Sequence, residues 1–386
     1  MNGPPVRALV VRCPDWPMVA AGIAPDEPAA VLRANQVVAC TPAARLEGVA
    51  RHQRRRVAQA HCPELVLVDH DPARDARCFE PVVAALDALT PRLEVTRPGQ
   101  VTFPTRGPSR YFGGDEALAA WAHALATAVL EGRGEVRVGI ADGPFAAGLA
   151  AGATLSSSPV RVVPVGGSAG FLAPFPLAVL DRPELVDVLD RLGLLRLGDL
   201  AALARSDVLA RFGAEGLEAW HRSAGLDGRR PVTRPPGPEL TVTAELDPPV
   251  EAVEPAAFVA RGLADEVHRR LAARGSACTR VLVGAETDHG ERLERIWGSD
   301  GAFTVAALTD RVRWQLDGWI NGSGRHRPSA GLVRLWLAPE EVVASGGRQM
   351  GYWGSDAAAG ARAGRAVARI QGLLGPGTVE VAEWRG

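Results

Sequence analysis

The chain of 386 residues contains 47% hydrophobic and 23% charged residues, and its formal net charge at pH 7 is −1. These proportions are typical of globular proteins and exclude a disordered, collagen-like or disulfide-scaffold chain. The length is enough for several domains, each with its own core. All 43 cations are arginines, which excludes chemistry that needs a lysine amine.

The cysteine pattern and the hydropathy predict a reduced, cytoplasmic protein. The five cysteines form no CxxC pair, so neither a disulfide framework nor a structural zinc site is expected. No apolar run approaches the roughly 20 residues of a membrane span. The apolar stretch near the N terminus stops at Arg12 and Pro14, so we expect neither a signal peptide nor an anchor.

Short β-rich runs alternate with helical patterns in the first half of the chain. Apolar residues from Phe79 to Leu86 fall three or four positions apart, as they do on one face of an amphipathic helix. A strand precedes this helix, and two strands, a second helix and a closing strand follow it. This order predicts a ferredoxin-like unit, interrupted after its first strand by an insertion at residues 21–76.

The second half begins with a change of composition. Residues 166–232 consist of short helical pieces rich in Leu, Ala and Gly, which predicts a small all-α unit. Prolines between Pro231 and Pro238 predict an extended linker. After the linker the order strand, helix, hairpin, helix, strand returns, and this predicts a second ferredoxin-like domain.

Several segments resemble, in the same order, motifs of Y-family DNA polymerases. Residues 37–45 (VVACTPAAR) resemble the fingers segment that grips the incoming triphosphate, and residues 62–68 (CPELVLV) the run that returns to the palm. Residues 138–141 (VGIA) resemble the palm strand ahead of the thumb. Residues 198–200 (GDL) and 211–213 (RFG) are similar to the thumb's helix-hairpin-helix elements.

The resemblance implies the α+β architecture of that family: a ferredoxin-like palm with a fingers insertion, a small helical thumb and a ferredoxin-like little finger. The boundaries that we expect are the first palm strand in residues 1–20, fingers 21–76, palm 77–165, helical thumb 166–232, linker 233–240, little finger 241–345, and a clamp-binding peptide with a C-terminal tail 346–386.

The positions of the family's metal-binding carboxylates hold other residues in this chain. In the family these carboxylates hold two Mg²⁺ ions that bridge the primer and the triphosphate. Arg12 stands at the first position, and Pro98 and Gly99 replace the acids of the palm turn. A guanidinium repels Mg²⁺, so a polymerase homologue without activity, metal or cofactor is expected. Asp15 and Glu94 are the candidates for a displaced metal site, but the favoured interpretation is that both are ordinary surface or strand-end acids.

A short segment near the C terminus resembles the peptide with which polymerases dock on the bacterial sliding clamp. Its glutamine amide suits a polar notch, while methionine and an aromatic pair suit an apolar cleft. The alternative is that the aromatic pair packs back onto its own domain, and a tyrosine stands where the pattern has an aliphatic residue. The predicted clamp-binding residues are Gln349, Met350, Tyr352, Trp353 and Gly354.

A dismantled palm followed by a clamp peptide is similar to the ImuB family of the bacterial mutasome. Residues 106–114 (RGPSRYFGG) also resemble that family's loop after the palm turn. The resemblance implies a non-catalytic translesion component of the damage-induced SOS response. It implies three partners, namely the beta sliding clamp, an error-prone C-family DNA polymerase and an ImuA-type protein, and it implies no membrane.

Primer–template DNA is a further candidate partner. Residues 243–345 hold 12 Arg against 15 Asp and Glu, whereas DNA-binding domains usually carry a basic excess. Local arginine clusters are either solvated faces or contacts with DNA or a partner protein. The candidates are Arg45, Arg51, Arg54, Arg55 and Arg56 in the fingers, and Arg269, Arg270, Arg274 and Arg280 in the second domain.

Two other functions stay open from the sequence. An active Y-family polymerase with relocated metal ligands would extend primers with metal, and a mutation at Asp15 would abolish this activity. A clamp-independent DNA-binding module would bind DNA strongly and with salt sensitivity, and it would survive the loss of Tyr352 and Trp353.

Overall fold

A computed structural model describes residues 6–90, 92–226, 238–299, 301–322 and 327–344. The strands are β1 (Arg7–Arg12), β2 (Ala29–Arg33), β3 (Gln36–Cys40), β4 (Val66–Asp69), β5 (Glu94–Arg97), β6 (Gln100–Pro104), β7 (Arg137–Asp142), β8 (Val160–Val162), β9 (Val242–Val250), β10 (Ser276–Thr287), β11 (Arg292–Gly298) and β12 (Leu332–Ala344). The α-helices are α1 (Trp16–Ala20), α2 (Pro42–Leu46), α3 (Arg55–His61), α4 (Pro72–Leu86), α5 (Arg106–Phe112), α6 (Asp115–Leu130), α7 (Pro144–Gly152), α8 (Ser168–Leu172), α9 (Pro183–Arg191), α10 (Leu197–Ala201), α11 (Arg205–Ser223), α12 (Val253–Ala272) and α13 (Val305–Ile320).

The first βαββαβ unit consists of β1, α4, β5, β6, α6 and β7, and its strand order β7-β1-β6-β5 is the ferredoxin-like order predicted from the sequence. Side chains alternate across β1. Leu9 and Val11 join the core beneath α4 and α6, whereas Ala8 and Val10 pack with the alanines of α7 on the opposite face. Arg12 lies on the same face as Ala8 and Val10, because successive side chains of a strand point to opposite faces.

A three-stranded sheet in the order β3-β2-β4 interrupts this unit, and α2 and α3 accompany it. Its central strand β2 was not predicted. Residues 29–32 are buried on both faces, so they read as a continuous apolar run without the alternation that marks a half-buried strand.

Helices α8 to α11 form the helical unit that follows the first βαββαβ unit. The sequence predicts short helical pieces in this part of the chain, and the structure has the short helices α8, α9 and α10 and the longer α11. Gly213 interrupts α11 with a φ of 62°, a conformation that glycine adopts at little cost.

The second βαββαβ unit consists of β9, α12, β10, β11, α13 and β12, the element order predicted from the sequence. Its strand order is β11-β10-β12-β9. The first strand therefore pairs with the last strand only, whereas β1 of the first unit lies between two neighbours. The two units share an element order but not a strand order.

The sheets of the two βαββαβ units join into one nine-stranded sheet. Strands β5 and β11 pair in parallel, with Glu94 opposite Ile296 and Val95 opposite Trp297. Helices α4 and α13 pack against each other on one face of this junction. Among the described helices, none combines the length and the apolar character that a membrane crossing requires.

Candidate functional site

Arg12 lies at the end of β1, in the position expected of a metal-binding carboxylate. Its neighbours across the sheet are Gln100 on β6 and Arg137 on β7. The side chain is half-buried and lies against Gly152 at the end of α7, where a β-carbon would come 3.1 Å from Arg12 Nη1. The missing side chain at Gly152 therefore leaves room for the guanidinium.

The surroundings of Arg12 disfavour its charged form. Burial is the largest cause of its lowered pKa, and repulsion from the guanidinium groups of Arg97 and Arg51 adds to it. Arg137 acts in the same direction, whereas the carboxylate of Asp15 opposes the shift. The strand end at which the resemblance implies Mg²⁺ binding therefore carries a guanidinium, and three other guanidinium groups act on it.

The turn between β5 and β6 has Pro98 and Gly99 at its centre. Gly99 has a φ of 87°, as the third position of a type II turn requires. A β-carbon at Gly99 would lie 2.5 Å from Cβ of Trp16. Trp16 is 3% exposed, donates from Nε1 to the carbonyl oxygen of Asp75 at 2.7 Å, and packs edge-on against Phe79. A carboxylate at position 99 would require Trp16 to move.

Asp15 forms an ion pair with an arginine of the insertion that contains the three-stranded sheet. Nη1 and Nη2 of Arg45, on α2, donate to Oδ1 and Oδ2 of Asp15 at 2.9 and 2.7 Å. Nη1 of Arg45 also donates to the carbonyl oxygen of Cys40 at 2.9 Å. The hydrogen bond to Asp15 raises the pKa of Arg45. Both oxygens of the carboxylate therefore join the loop after β1 to α2.

Glu94, the other acid considered for a displaced metal site, is buried at the junction of the two sheets. Its Oε2 lies 3.0 Å from Nε of Arg280, which belongs to β10. A β-carbon at Gly298 would come within 2.0 Å of Glu94 Oε1, so the glutamate occupies the space above that glycine. Among the described residues, no group of three or more His, Cys, Asp or Glu is placed to hold a metal ion.

The predicted basic contacts of the second unit are largely paired with acids. Arg269 and Arg270 both donate to Glu266, and these hydrogen bonds lower the pKa of that carboxyl. Arg274 lies 3.5 Å from a carboxylate oxygen of Glu239. Two acids thus offset part of the charge that these three arginines present, and Arg280 is bound to the buried glutamate described above.

The arginine run of the inserted sheet lies around the start of α3. Arg51, Arg54 and Arg56 are exposed, and Arg55 donates from Nε to Oε1 of Gln59 at 3.3 Å. The structure therefore separates Arg45, bound to Asp15, from the exposed run that follows it. The predicted clamp peptide, residues 349–354, lies outside the described residues.

Several residues of this region had no role in the sequence interpretation. They are Trp16, Arg97, Gln100, Arg137 and Gly152. Only Trp16 could have been found from local sequence, because a tryptophan soon after a strand end usually packs into a core. The other four become neighbours of Arg12 through strand pairing and helix packing, which no local pattern indicates.

Comparison with known proteins shows which families and folds this chain resembles. Residues 19–152 match the impB/mucB/samB family model. Protein ImuB of Caulobacter vibrioides (strain NA1000 / CB15N) is 26% identical over 232 residues, which cover 60% of this chain and 49% of that protein. DNA polymerase IV 1 of Mesorhizobium japonicum (strain LMG 29417 / CECT 9101 / MAFF 303099) is 25% identical over 246 residues, covering 63% and 56%.

Solved structures show the fold. The insertion ternary complex of Dbh DNA polymerase superposes with a TM-score of 0.51 and DinB from Sulfolobus solfataricus with 0.50, each at 14% identity over 87% of this chain and 99% of the solved one. The chain thus has the fold of the Y-family DNA polymerases, as the sequence predicted. It spans about half the length of the curated relatives that it matches.

Proposed function

We propose that this protein is a non-catalytic adaptor of translesion synthesis. The premise is that residues 19–152 match the impB/mucB/samB family model and that the chain has a Y-family DNA polymerase fold. It docks on the bacterial sliding clamp and recruits an error-prone C-family DNA polymerase and an ImuA-type protein when DNA is damaged. It acts in the cytoplasm, at the nucleoid. For its palm, fingers, thumb, linker and little finger, the proposal keeps the boundaries given from the sequence above.

One observation carries the non-catalytic part of the proposal: a half-buried guanidinium occupies the strand end at Arg12. Two-metal phosphoryl transfer needs oxygen anions that neutralise the ions. A cation at this position opposes them, and the residues around it do not fit a divalent metal. The two acids considered as replacements for the lost ligands are each bound to an arginine, Asp15 to Arg45 and Glu94 to Arg280.

Clamp docking is proposed from residue chemistry alone. Met350, Tyr352 and Trp353 would fill an apolar cleft, and Gln349 would donate and accept hydrogen bonds at its rim. Gly354 ends the motif. The relative named Protein ImuB supports a mutasome-related role, and the relative named DNA polymerase IV 1 supports the rival function tested below.

Direct DNA binding is proposed as a weak contribution. The exposed run Arg51, Arg54, Arg55 and Arg56 is the best candidate for contacts with DNA or a partner, because cations attract phosphates. Arg45 and the cluster Arg269, Arg270, Arg274 and Arg280 contribute less, since acids already neutralise part of their charge.

Binding to the cognate sliding clamp tests the adaptor function. We expect the wild-type protein to bind, and the double variant Tyr352→Ala/Trp353→Ala to lose binding, because two truncated aromatic anchors cost several kcal/mol, enough to abolish a complex of about micromolar affinity. A matched control is Tyr111→Ala/Trp121→Ala, which removes two aromatic side chains that are 84% and 54% exposed elsewhere on the surface. Equal binding by both double variants, or no binding by the wild type, contradicts clamp docking through this peptide.

Primer extension tests the rival function, an active polymerase with relocated ligands. With primer–template, deoxynucleotides and Mg²⁺ or Mn²⁺, we expect no extension by the wild type, because Asp15 and Glu94 are both bound to arginines. Extension that Asp15→Asn abolishes would establish the active polymerase instead. Extension unchanged in Asp15→Asn would indicate a contaminating polymerase.

A further inference from the structure

Four strand ends bring polar side chains into one row beside Arg12. Arg12 on β1 is opposite Gln100 on β6 and Arg137 on β7, and Gln100 is opposite Arg97 on β5. Residues directly opposite each other in antiparallel strands place their side chains on the same face of the sheet. We call Arg97, Gln100, Arg12 and Arg137 the strand-end row.

The outer members of the strand-end row have protein partners. Nε and Nη2 of Arg137 donate to Glu135 at 3.2 and 2.8 Å, and Nη2 of Arg97 lies 3.4 Å from Oε1 of Gln100. The central guanidinium differs. Within the described part of the chain, Arg12 has neither a hydrogen-bond acceptor nor an ion-pair partner for its side chain.

A half-buried and unpaired guanidinium is costly, because burial removes water without supplying a compensating group. Nearby acids relieve only part of this cost, because they are bound to other groups. Both oxygens of Asp15 accept hydrogen bonds from Arg45, and Glu135 is shared between Arg137 and the hydroxyl of Ser156. The exposed Arg51 adds a further positive charge from the inserted sheet.

We infer that the strand-end row is a phosphate-binding site that works without a metal ion, centred on the guanidinium of Arg12. A guanidinium presents its N–H groups in a planar fork that matches two phosphate oxygens, and the multiple negative charge of a phosphate suits several arginines at once. The amide of Gln100 can donate a further hydrogen bond. The phosphate belongs to a nucleotide, either free or within a DNA strand. This inference goes beyond the adaptor function, which needs no such site.

The test measures binding to the whole 386-residue chain in EDTA and at constant ionic strength, by thermal shift and calorimetry. The probes are inorganic tripolyphosphate, dATP, and a single-stranded 12-mer with and without a 5′-phosphate. The variants are Arg12→Gln, which removes the central charge, and Arg33→Gln, a matched control at an exposed strand end of the inserted sheet.

We expect tripolyphosphate to raise the Tm of the wild type and of Arg33→Gln in a saturable way, and Arg12→Gln to bind at least about tenfold more weakly. Without any probe, the Tm of Arg12→Gln should equal or exceed that of the wild type, because the variant lacks an uncompensated charge. This second measurement shows that the variant is folded.

The probes also identify the source of the phosphate. Arg12-dependent binding of dATP and tripolyphosphate supports the site with a free nucleotide, and Arg12-dependent binding of the 12-mer alone supports it with DNA. Equal affinity of Arg12→Gln and wild type for every probe overturns the proposal. A wild type that responds to none of them does so as well.

Discussion

At the scale of single residues, two positions at which the resemblance implies carboxylates differ from that expectation in two physical ways. At Arg12 the charge is reversed. At Gly99 a left-handed backbone and a buried tryptophan leave no space for a side chain, because Trp16 Cβ would lie 2.5 Å from an added β-carbon. A carboxylate placed at position 99 would therefore have to displace Trp16.

Gly99→Asp should destabilise the fold. The variant combines the cost of a left-handed φ, about 1–2 kcal/mol, with overpacking against Trp16, about 1–3 kcal/mol more. Gly22→Asp is the matched control, because Gly22 also has a positive φ, 72°, but nothing lies within 4 Å of an added β-carbon. Urea unfolding should show the larger loss in free energy of unfolding for Gly99→Asp. Equal losses for the two variants would show that Trp16 can move aside without a measurable loss in the free energy of unfolding.

At the scale of elements, ion pairs connect β11 to α4 and its C-terminal end. Nη2 of Arg295 lies 2.8 Å from a carboxylate oxygen of each of Glu80 and Asp87. Burial disfavours its charged form, but these two acids outweigh burial and raise its pKa. Arg77 on α4 binds Asp317 on α13 at 2.8 Å in the same junction. The junction thus combines strand pairing with ion pairs between residues distant in sequence.

Arg295→Met should cost about 2–4 kcal/mol of unfolding free energy, since it leaves two acids at the junction without their cation. Arg292→Met, on the same strand, is the control. The Arg292 side chain is 63% exposed and its pairing with Glu286 is a surface contact, so we expect a loss within about 1 kcal/mol. Chemical denaturation of both variants measures the difference. Similar losses would show that the buried network adds nothing to the docking of β11.

At the scale of the whole molecule, the sheet continues from the first βαββαβ unit into the second. Without this junction, β5 and β11 would each be an edge strand with unpaired N–H and C=O groups. Pairing of β5 with β11, together with contacts between α4 and α13, ties the two units together.

Hydrogen exchange should reveal this continuity. Backbone amides of β11 that face β5 should exchange as slowly as those in the interior of the sheet, and Arg295→Met should speed their exchange. Strand β8, at the outer edge of the nine-stranded sheet, is the internal control and should exchange faster in both proteins. Exchange in β11 as fast as in β8 would mean that the junction opens readily in solution.

Local patterns predicted most of the elements because spacing of apolar residues reports burial of one face. Phe79, Val82 and Leu86 are buried on α4, as their spacing indicated. The same argument failed for β2, which is buried on both faces and has no alternation. Of the candidate site, the sequence indicated Arg12, Pro98 and Gly99, but not Trp16, which fills the space at the turn.

The order of elements, the motifs of the polymerase fold and the cation at the end of the first strand were determined by the sequence alone, since each depends on residues close together in the chain. The tertiary structure decided which strands are neighbours and which charges pair. Arg280 is the clearest case, because the sequence offered it as a contact with DNA and the fold places it against Glu94. These two residues are distant in the chain, so only the packing of the two units brings them together.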